Sequence, residues 1–294
     1  MESEISRRPR QAASVMVPLD GSTAAMAALP IARIVARVMG AVVSVIHVSP
    51  TPLSRKELLH KLKLRPDQMR GIVIDPLTGQ VATSIIQEAE RRQSKFIAMS
   101  LYANELADIL GPVAREVLEK APCPVILVRP DIAVPPGGPG TTLRRILLPL
   151  DGTPSTSAAS APAIDLAERS GAELDILLVS TAGVSAPAER GTFVAPRYID
   201  QPQHEWPVWT QEFITRFCHC IGACPTVPMR LQLATGNPAE EILRVAMERG
   251  SDLITLVWRG RLDGERGAVL KAVLGGMQSP ALILRIPRVG RNAR

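Results

Sequence analysis

The sequence predicts two successive α/β domains, each a mostly parallel sheet covered by helices on both faces. Three observations carry that expectation. The chain repeats itself: Val17-Pro18-Leu19-Asp20-Gly21-Ser22 recurs as Leu148-Pro149-Leu150-Asp151-Gly152-Thr153, at an offset of 131 residues. Within each copy, apolar runs of buried-strand length alternate with amphipathic segments of helical period. Between the copies lies Pro135-Pro136-Gly137-Gly138-Pro139-Gly140, a linker by composition.

The repeat runs through nearly the whole chain. The offset of 131 also pairs Gly40 with Gly171 and Val48 with Val179, then rises to 157, pairing Gly79 with Gly236, Ile85 with Ile242 and Ile97 with Ile254. Near the end it is 156, pairing Gly111 with Gly267 and Pro124 with Pro280. The second copy therefore carries 26 extra residues between Ser180 and Gly236. The boundaries follow: a tail at 1–12, a first domain at 13–132, a linker at 133–142, a second domain at 143–288 with an addition at about 181–227, and a basic tail at 289–294.

In the first copy, Ala13–Leu19 reads as a short apolar strand. Ser22 or Thr23 then caps one helix reaching about Met39, with Ala28, Ile31, Ile34, Val35 and Val38 on its inner stripe and Gly40 as its stop. Val42–Val48, Gly71–Asp75, Phe96–Met99 and Val125–Val128 are further buried strands. Helices near Thr83–Arg92 and Val113–Lys120 separate the last three. The basic segment Ser54–Arg70 reads as a solvated connector.

Length and composition suit two globular cores: 294 residues, 46% apolar and 21% charged. The net charge of +6 sits largely in the ends, where residues 285–294 hold four arginines and no acid. A basic tail is not a nucleic-acid-binding face, so no nucleic-acid partner is expected. No run of 18 or more apolar residues predicts a membrane span. The cysteines are Cys123, Cys218, Cys220 and Cys224, without a disulfide framework, which makes a reducing cytoplasm the expectation. Cys218-His219-Cys220 lacks the paired spacing of a zinc site, and Cys220 and Cys224 share a helical face, so no metal is expected.

A first strand ending Pro-x-Asp-Gly-Ser, an Ala-rich helix, a strand ending His47-Val48 and a terminal Ala121-Pro122-Cys123-Pro124-Val125 resemble the universal stress protein family. The resemblance covers both copies apart from the addition and the tails. It implies two tandem Rossmann-like domains of the adenine nucleotide alpha hydrolase-like kind. Each would have a five-stranded parallel sheet of order 3-2-1-4-5, with the ligand crevice between strands 1 and 4. It also implies association through the strands ending Val125–Arg129 and Ala281–Arg285, as an internal pseudo-dimer or a homodimer of the whole chain.

ATP-binding members of that family resemble a recipe of Gly-x-x-Gly, nine residues, then Gly-Ser or Gly-Thr, whose free amides and hydroxyl hold phosphate. By position Pro18, Asp20 and Val48, and Pro149, Asp151 and Val179, would contact the ribose and adenine end. Neither copy keeps the phosphate recipe. Copy one reads Ser100-Leu101-Tyr102-Ala103, loses both early glycines, and follows Gly111 with Pro112, which has no N–H. Glu105 and Asp108 add negative charge there. Copy two keeps Gly260, Gly267 and the amide of Ala268, and adds Arg259, Arg261, Arg266 and Lys271, whose charge could replace lost hydrogen bonds to phosphate. The site is therefore expected to be degenerate in domain 1, and domain 2 to hold a weak or altered ATP or other adenine-nucleotide site. Asp-Gly-Ser after a strand is also an ordinary turn and cap, which leaves a purely structural role open for Asp20.

Six of the nine aromatic residues lie between Phe193 and Phe217, and Trp206, Trp209, Phe213 and Phe217 fall on one helical face. That face would pack on its own domain or the other copy; docking a partner or lidding the second crevice are the alternatives. His47, His60 and His204 form no nucleophile-and-base arrangement, and no P-loop occurs. The resemblance therefore implies a non-enzymatic stress-response protein. Its rival is a scaffold acting through protein partners without nucleotide, and a slow ATPase is a third reading, for which no general base is found.

Overall fold

The structure, a computed structural model, describes residues 13–101, 109–134, 137–138, 140–180, 189–193, 202–258 and 265–286. The two tails, the Arg259-Gly260-Arg261 stretch and Glu105 with Asp108 lie outside the described residues.

Copy one runs β1 (Ser14–Pro18), α1 (Thr23–Met26), α2 (Ala28–Val38), β2 (Val42–Ser49), α3 (Arg55–Leu62), α4 (Pro66–Met69), β3 (Ile72–Thr78), α5 (Val81–Arg92), β4 (Phe96–Ser100), α6 (Pro112–Lys120) and β5 (Val125–Val128). Copy two repeats the plan with β6 (Arg145–Leu150), α7 (Pro154–Ala159), α8 (Ala161–Ser170), β7 (Glu173–Ser180), α9 (Pro202–Ile221), β8 (Met229–Thr235), α10 (Pro238–Arg249), β9 (Leu253–Trp258), α11 (Glu265–Gly276) and β10 (Ala281–Arg285). The strands form one ten-stranded sheet of order β3-β2-β1-β4-β5-β10-β9-β6-β7-β8. Each half has the expected order 3-2-1-4-5, and all pairs within a half are parallel.

One antiparallel pair joins the halves: Ala281, Leu282 and Ile283 of β10 lie opposite Leu127, Ile126 and Val125 of β5. These residues are buried, so the seam is an apolar core as well as a ladder. Reciprocal arginines flank it. Arg129 donates to the carbonyl of Gly275 near the end of α11, and Arg285 donates to the carbonyls of Glu119 and Ala121 at the end of α6. Arg129 and Arg285, like Glu119 and Gly275, are related by the repeat offset of 156, so each copy gives the other the same contact. Cations suit helix C-termini, where carbonyls lack intrahelical partners.

The helix expected from Ser22 to Met39 is two helices. Ser22 does cap the first, its hydroxyl accepting from the amide of Ala25. Pro30 then stands four residues after Met26, and a proline ring collides with the carbonyl four residues back. The chain breaks at Ala27 and restarts. Copy two also breaks, two positions further along the repeat, at Ser160 between α7 and α8, with Pro162 beyond. The Ser54–Arg70 connector is helical in part, and Leu58 and Leu62 on α3 are buried against the core.

A half-buried arginine ties helix to sheet in each copy. Arg92, at the end of α5, bonds Ser44 Oγ and Asp75 as well as Glu88; Arg249, at the end of α10, bonds Asp175 and Glu173. Arg92 and Arg249 are repeat mates, and so are Ser44 and Asp175. Bidentate bonding by Arg91 and a bond from Arg92 hold the Glu88 carboxyl below its ordinary range, against burial, which raises it. A depressed carboxyl contributes stability that is full above the ordinary glutamate pKa of about 4.3 and is lost as pH falls below it. Glu88→Gln should therefore cost about 2 kcal/mol at pH 7, the scale of hydrogen bonds to charged groups. The difference from wild type should shrink by pH 3 in urea denaturation.

Candidate functional site

The carboxyl ends of β1 and β4 are where the chain direction switches in copy one, and a cavity of about 390 Å³ opens there. Of the sequence-nominated residues, Pro18, Asp20, Val48 and Gly111 all line it. Backbone geometry brings them together: β1 ends at Pro18, β2 carries Val48 beside it, and Gly111 precedes the first residue of α6. The rest of the wall comes from residues the sequence reading did not nominate, chiefly Ile46, Val81, Ile85, Met99, Val113 and Ala114. Their signal was present in the inner stripes of α5 and α6 and the apolar ends of β2 and β4. It reads as ordinary core until the crevice is seen to be empty.

The polar side chains of the wall are few, and each makes a local hydrogen bond. Asp20 Oδ1 accepts from the amide of Ser22 at 2.8 Å, which makes the Asp-Gly-Ser turn. Ser22 Oγ accepts from Ala25 at 3.1 Å, and Ser100 Oγ donates to the carbonyl of Leu101 at 3.2 Å. Pro112 occupies the first turn of α6, which removes one donor from that helix start. Among the described lining residues there is no lysine, arginine or histidine.

Copy two places Pro149, Asp151 and Val179 at the matching strand ends. Asp151 is more heavily committed than Asp20: its Oδ1 accepts from the Thr153 amide at 3.0 Å, Thr153 Oγ1 at 2.7 Å and Thr156 Oγ1 at 2.6 Å. One position of the copy-one wall is larger here: Leu270 replaces Ala114, and beyond the wall Trp258 replaces Leu101 next to Ser100; both side chains are almost fully buried and belong to one apolar cluster with Leu256 and Ile242. The Trp258 indole N–H has no hydrogen-bond partner among the described residues. Gly267 and Ala268 lie in the first turns of α11, Gly267 buried and Ala268 exposed; Arg259, Gly260 and Arg261 fall outside the described residues.

The addition packs on its own domain. Phe193, Trp209, Phe213 and Phe217 form a continuous aromatic run with centroid separations of 4.9 to 6.0 Å, and the Arg216 guanidinium lies 5.0 Å from the Phe193 centroid. Phe213 and Phe217 enter the same core face that Leu58 and Leu62 of α3 enter in copy one. Both connectors seat against the glycine after the first strand. A Cβ on Gly21 would meet the carbonyl of Lys61, and one on Gly152 would meet the carbonyl of Phe193. The Phe193 amide also donates to the Gly152 carbonyl at 2.8 Å, and Glu189 accepts from the Ser155 amide at 3.1 Å and its hydroxyl at 2.5 Å. The addition thus replaces the α3 connector. Tyr198 and the Trp206 side chain lie outside the described residues.

The cysteine expectation needs correction. Cys218 and Cys224 form a disulfide, with Cα atoms 4.5 Å apart. The helical-face argument paired Cys220 with Cys224, but α9 ends at Ile221 and the chain turns at Gly222, φ +84°, which returns Cys224 to Cys218. No group of three or more metal-ligating side chains occurs among the described residues. Cys123 and Cys220 are free thiols, and burial pushes Cys123 up to about 12 and raises Cys220 as well, so neither is poised as a nucleophile.

No protein-family model matches the chain, and no curated protein matches it. Solved structures do. A universal stress protein from Archaeoglobus fulgidus DSM 4304 superposes with a TM-score of 0.58 at 16% identity, over 95% of this chain and 98% of its own. A protein of unknown function from Pseudomonas aeruginosa PAO1 gives 0.62 at 18% identity, over 94% of both chains. The fold is that of the universal stress proteins, present twice in one chain. No helix among the described residues is long and apolar enough to cross a membrane.

Two expectations follow. Gly152→Ala meets both a positive φ of +76° and the Phe193 carbonyl, so it should destabilise the protein by about 1–3 kcal/mol in chemical denaturation. Cys224→Ser opens a short loop whose closure entropy corresponds to about 2 kcal/mol. It should lower the melting temperature in non-reducing buffer and leave that measured with reductant nearly unchanged.

Proposed function

We propose that this is a non-enzymatic, ligand-responsive universal stress protein whose binding half is the first copy, with the second copy as its permanent structural partner. The observation that carries this reading is the 390 Å³ cavity at the first copy's switch point, lined by Pro18, Asp20, Val48 and Gly111. Its size falls within the range of small-molecule sites, about 300–1,000 Å³. In the second copy, buried Leu270 stands where the cavity wall of the first copy holds Ala114, and Asp151 is committed to three hydroxyl or amide donors. Without a nucleophile–base pair to assign, the reading contains no catalytic step, and binding is its output.

An adenine nucleotide in the second copy is the second reading. It is favoured by α11 beginning at Glu265, which leaves the Gly267 amide in the first turn without an intrahelical acceptor. Arg259, Arg261 and Lys271 would supply charge to the phosphates and Asp151 and Val179 would hold the nucleoside.

The two readings separate in one experiment. Small molecules extracted from freshly purified wild-type protein should include a ligand that is missing from Ala114→Leu, which carries the second copy's residue in the first copy's wall. A ligand retained by Ala114→Leu and lost from Gly267→Pro would move the site to the second copy. Phosphate release from ATP in proportion to protein concentration would overturn the non-enzymatic reading.

A further inference from the structure

The chemistry of the first copy's wall narrows the ligand further, and this inference rests on the reading that a ligand binds there. The floor and sides are hydrocarbon and thioether: Ile46, Val48, Val81, Ile85, Met99 and Val113. The ionisable side chain among the described lining residues is Asp20, an acid. An anionic ligand would lose its water against an apolar wall, beside a carboxylate, with no cation in the described wall to compensate it. The helix start loses one of its amide donors to Pro112 and has no cation beside it in the described wall, so two backbone amides, Val113 and Ala114, would face the full charge of an anion.

What the wall does offer is limited and directional. Asp20 Oδ1 is occupied by the Ser22 amide, and its second oxygen can accept one donor. Val113 and Ala114, in the first turn of α6, carry amides without intrahelical acceptors, and Arg115 is the first residue of that helix to bond back, to Gly111. We propose that the first copy's crevice binds an uncharged, predominantly apolar small molecule, with one hydrogen-bond donor directed to Asp20 and a ring or hydrocarbon body against Ile46, Val48, Ile85 and Met99, and that it excludes phosphorylated ligands.

N-phenyl-1-naphthylamine is a suitable probe: it is neutral and aromatic, carries one N–H, and fluoresces on leaving water. Titration of the full-length protein should give saturable fluorescence, and ATP, ADP or AMP at equal concentration should not displace the probe. Ala114→Leu should weaken its binding at least tenfold by filling the cavity. Val81→Trp, at a residue 43% exposed and so mutable at little cost to the core, should weaken it by narrowing the mouth. A circular-dichroism melt of each variant identifies any that fail to fold, and the other then decides.

Displacement of the probe by nucleotides, with both effects weakened by Ala114→Leu, would overturn the ligand class and keep the first copy as the binding half. Probe fluorescence insensitive to both folded variants would overturn the ligand class as well as the location. Absence of any probe signal, together with nucleotide binding that Ala114→Leu abolishes, would again sink the apolar class alone.

Discussion

The β5–β10 seam is the contact on which the rest of the structure depends. Parallel five-stranded sheets of this order leave their last strand open on one side, with a row of unsatisfied backbone groups beside an apolar surface. Here each copy covers the other's exposed strand, with Ile126 opposite Leu282 and buried side chains on both faces. The arrangement is isologous in all but covalent connection, since Arg129 and Arg285 perform the same task toward opposite helix ends. An uncapped strand of four residues such as Val125–Val128 would be an aggregation hazard; paired, it is the centre of the molecule.

With the scaffold shared, the two copies differ where side-chain volume and turn chemistry differ. Both use an Asp-Gly turn after the first strand, both seat a connector on that glycine, and both anchor a helix through Arg92 or Arg249. They part at the crevice. The same strand order surrounds a cavity lined by Ala114 in copy one and places the larger Leu270 at the matching position of copy two.

Much of this could be read from the residues alone, and the reasons are physical. Strand positions follow from apolar runs that must be buried on both faces, and sheet order followed from the family-like Pro-x-Asp-Gly-Ser and Ala-Pro-Cys-Pro-Val segments. The break at Ala27 was also written in the sequence, in Pro30, but a strong apolar stripe on both sides of it outweighed the proline in the reading. The Cys218–Cys224 bond was not legible, because helical spacing opposes it and only the turn at Gly222 reverses that geometry. The cavity was half legible: the family-like positions Pro18, Asp20, Val48 and Gly111 could be named, but emptiness is a property of packing that no single residue announces.

Covalent fusion of the two halves has a consequence for how such a protein would respond in a cell. A sheet completed by a separate subunit is completed only above some threshold of abundance, and any signal it reports is mixed with its own expression level. With β10 supplied by the same chain, the neighbour is present at a fixed and high local concentration, whatever the dilution. Any ligand-dependent output of either crevice is thereby uncoupled from the abundance of a separate subunit, because each half always has its sibling beside it.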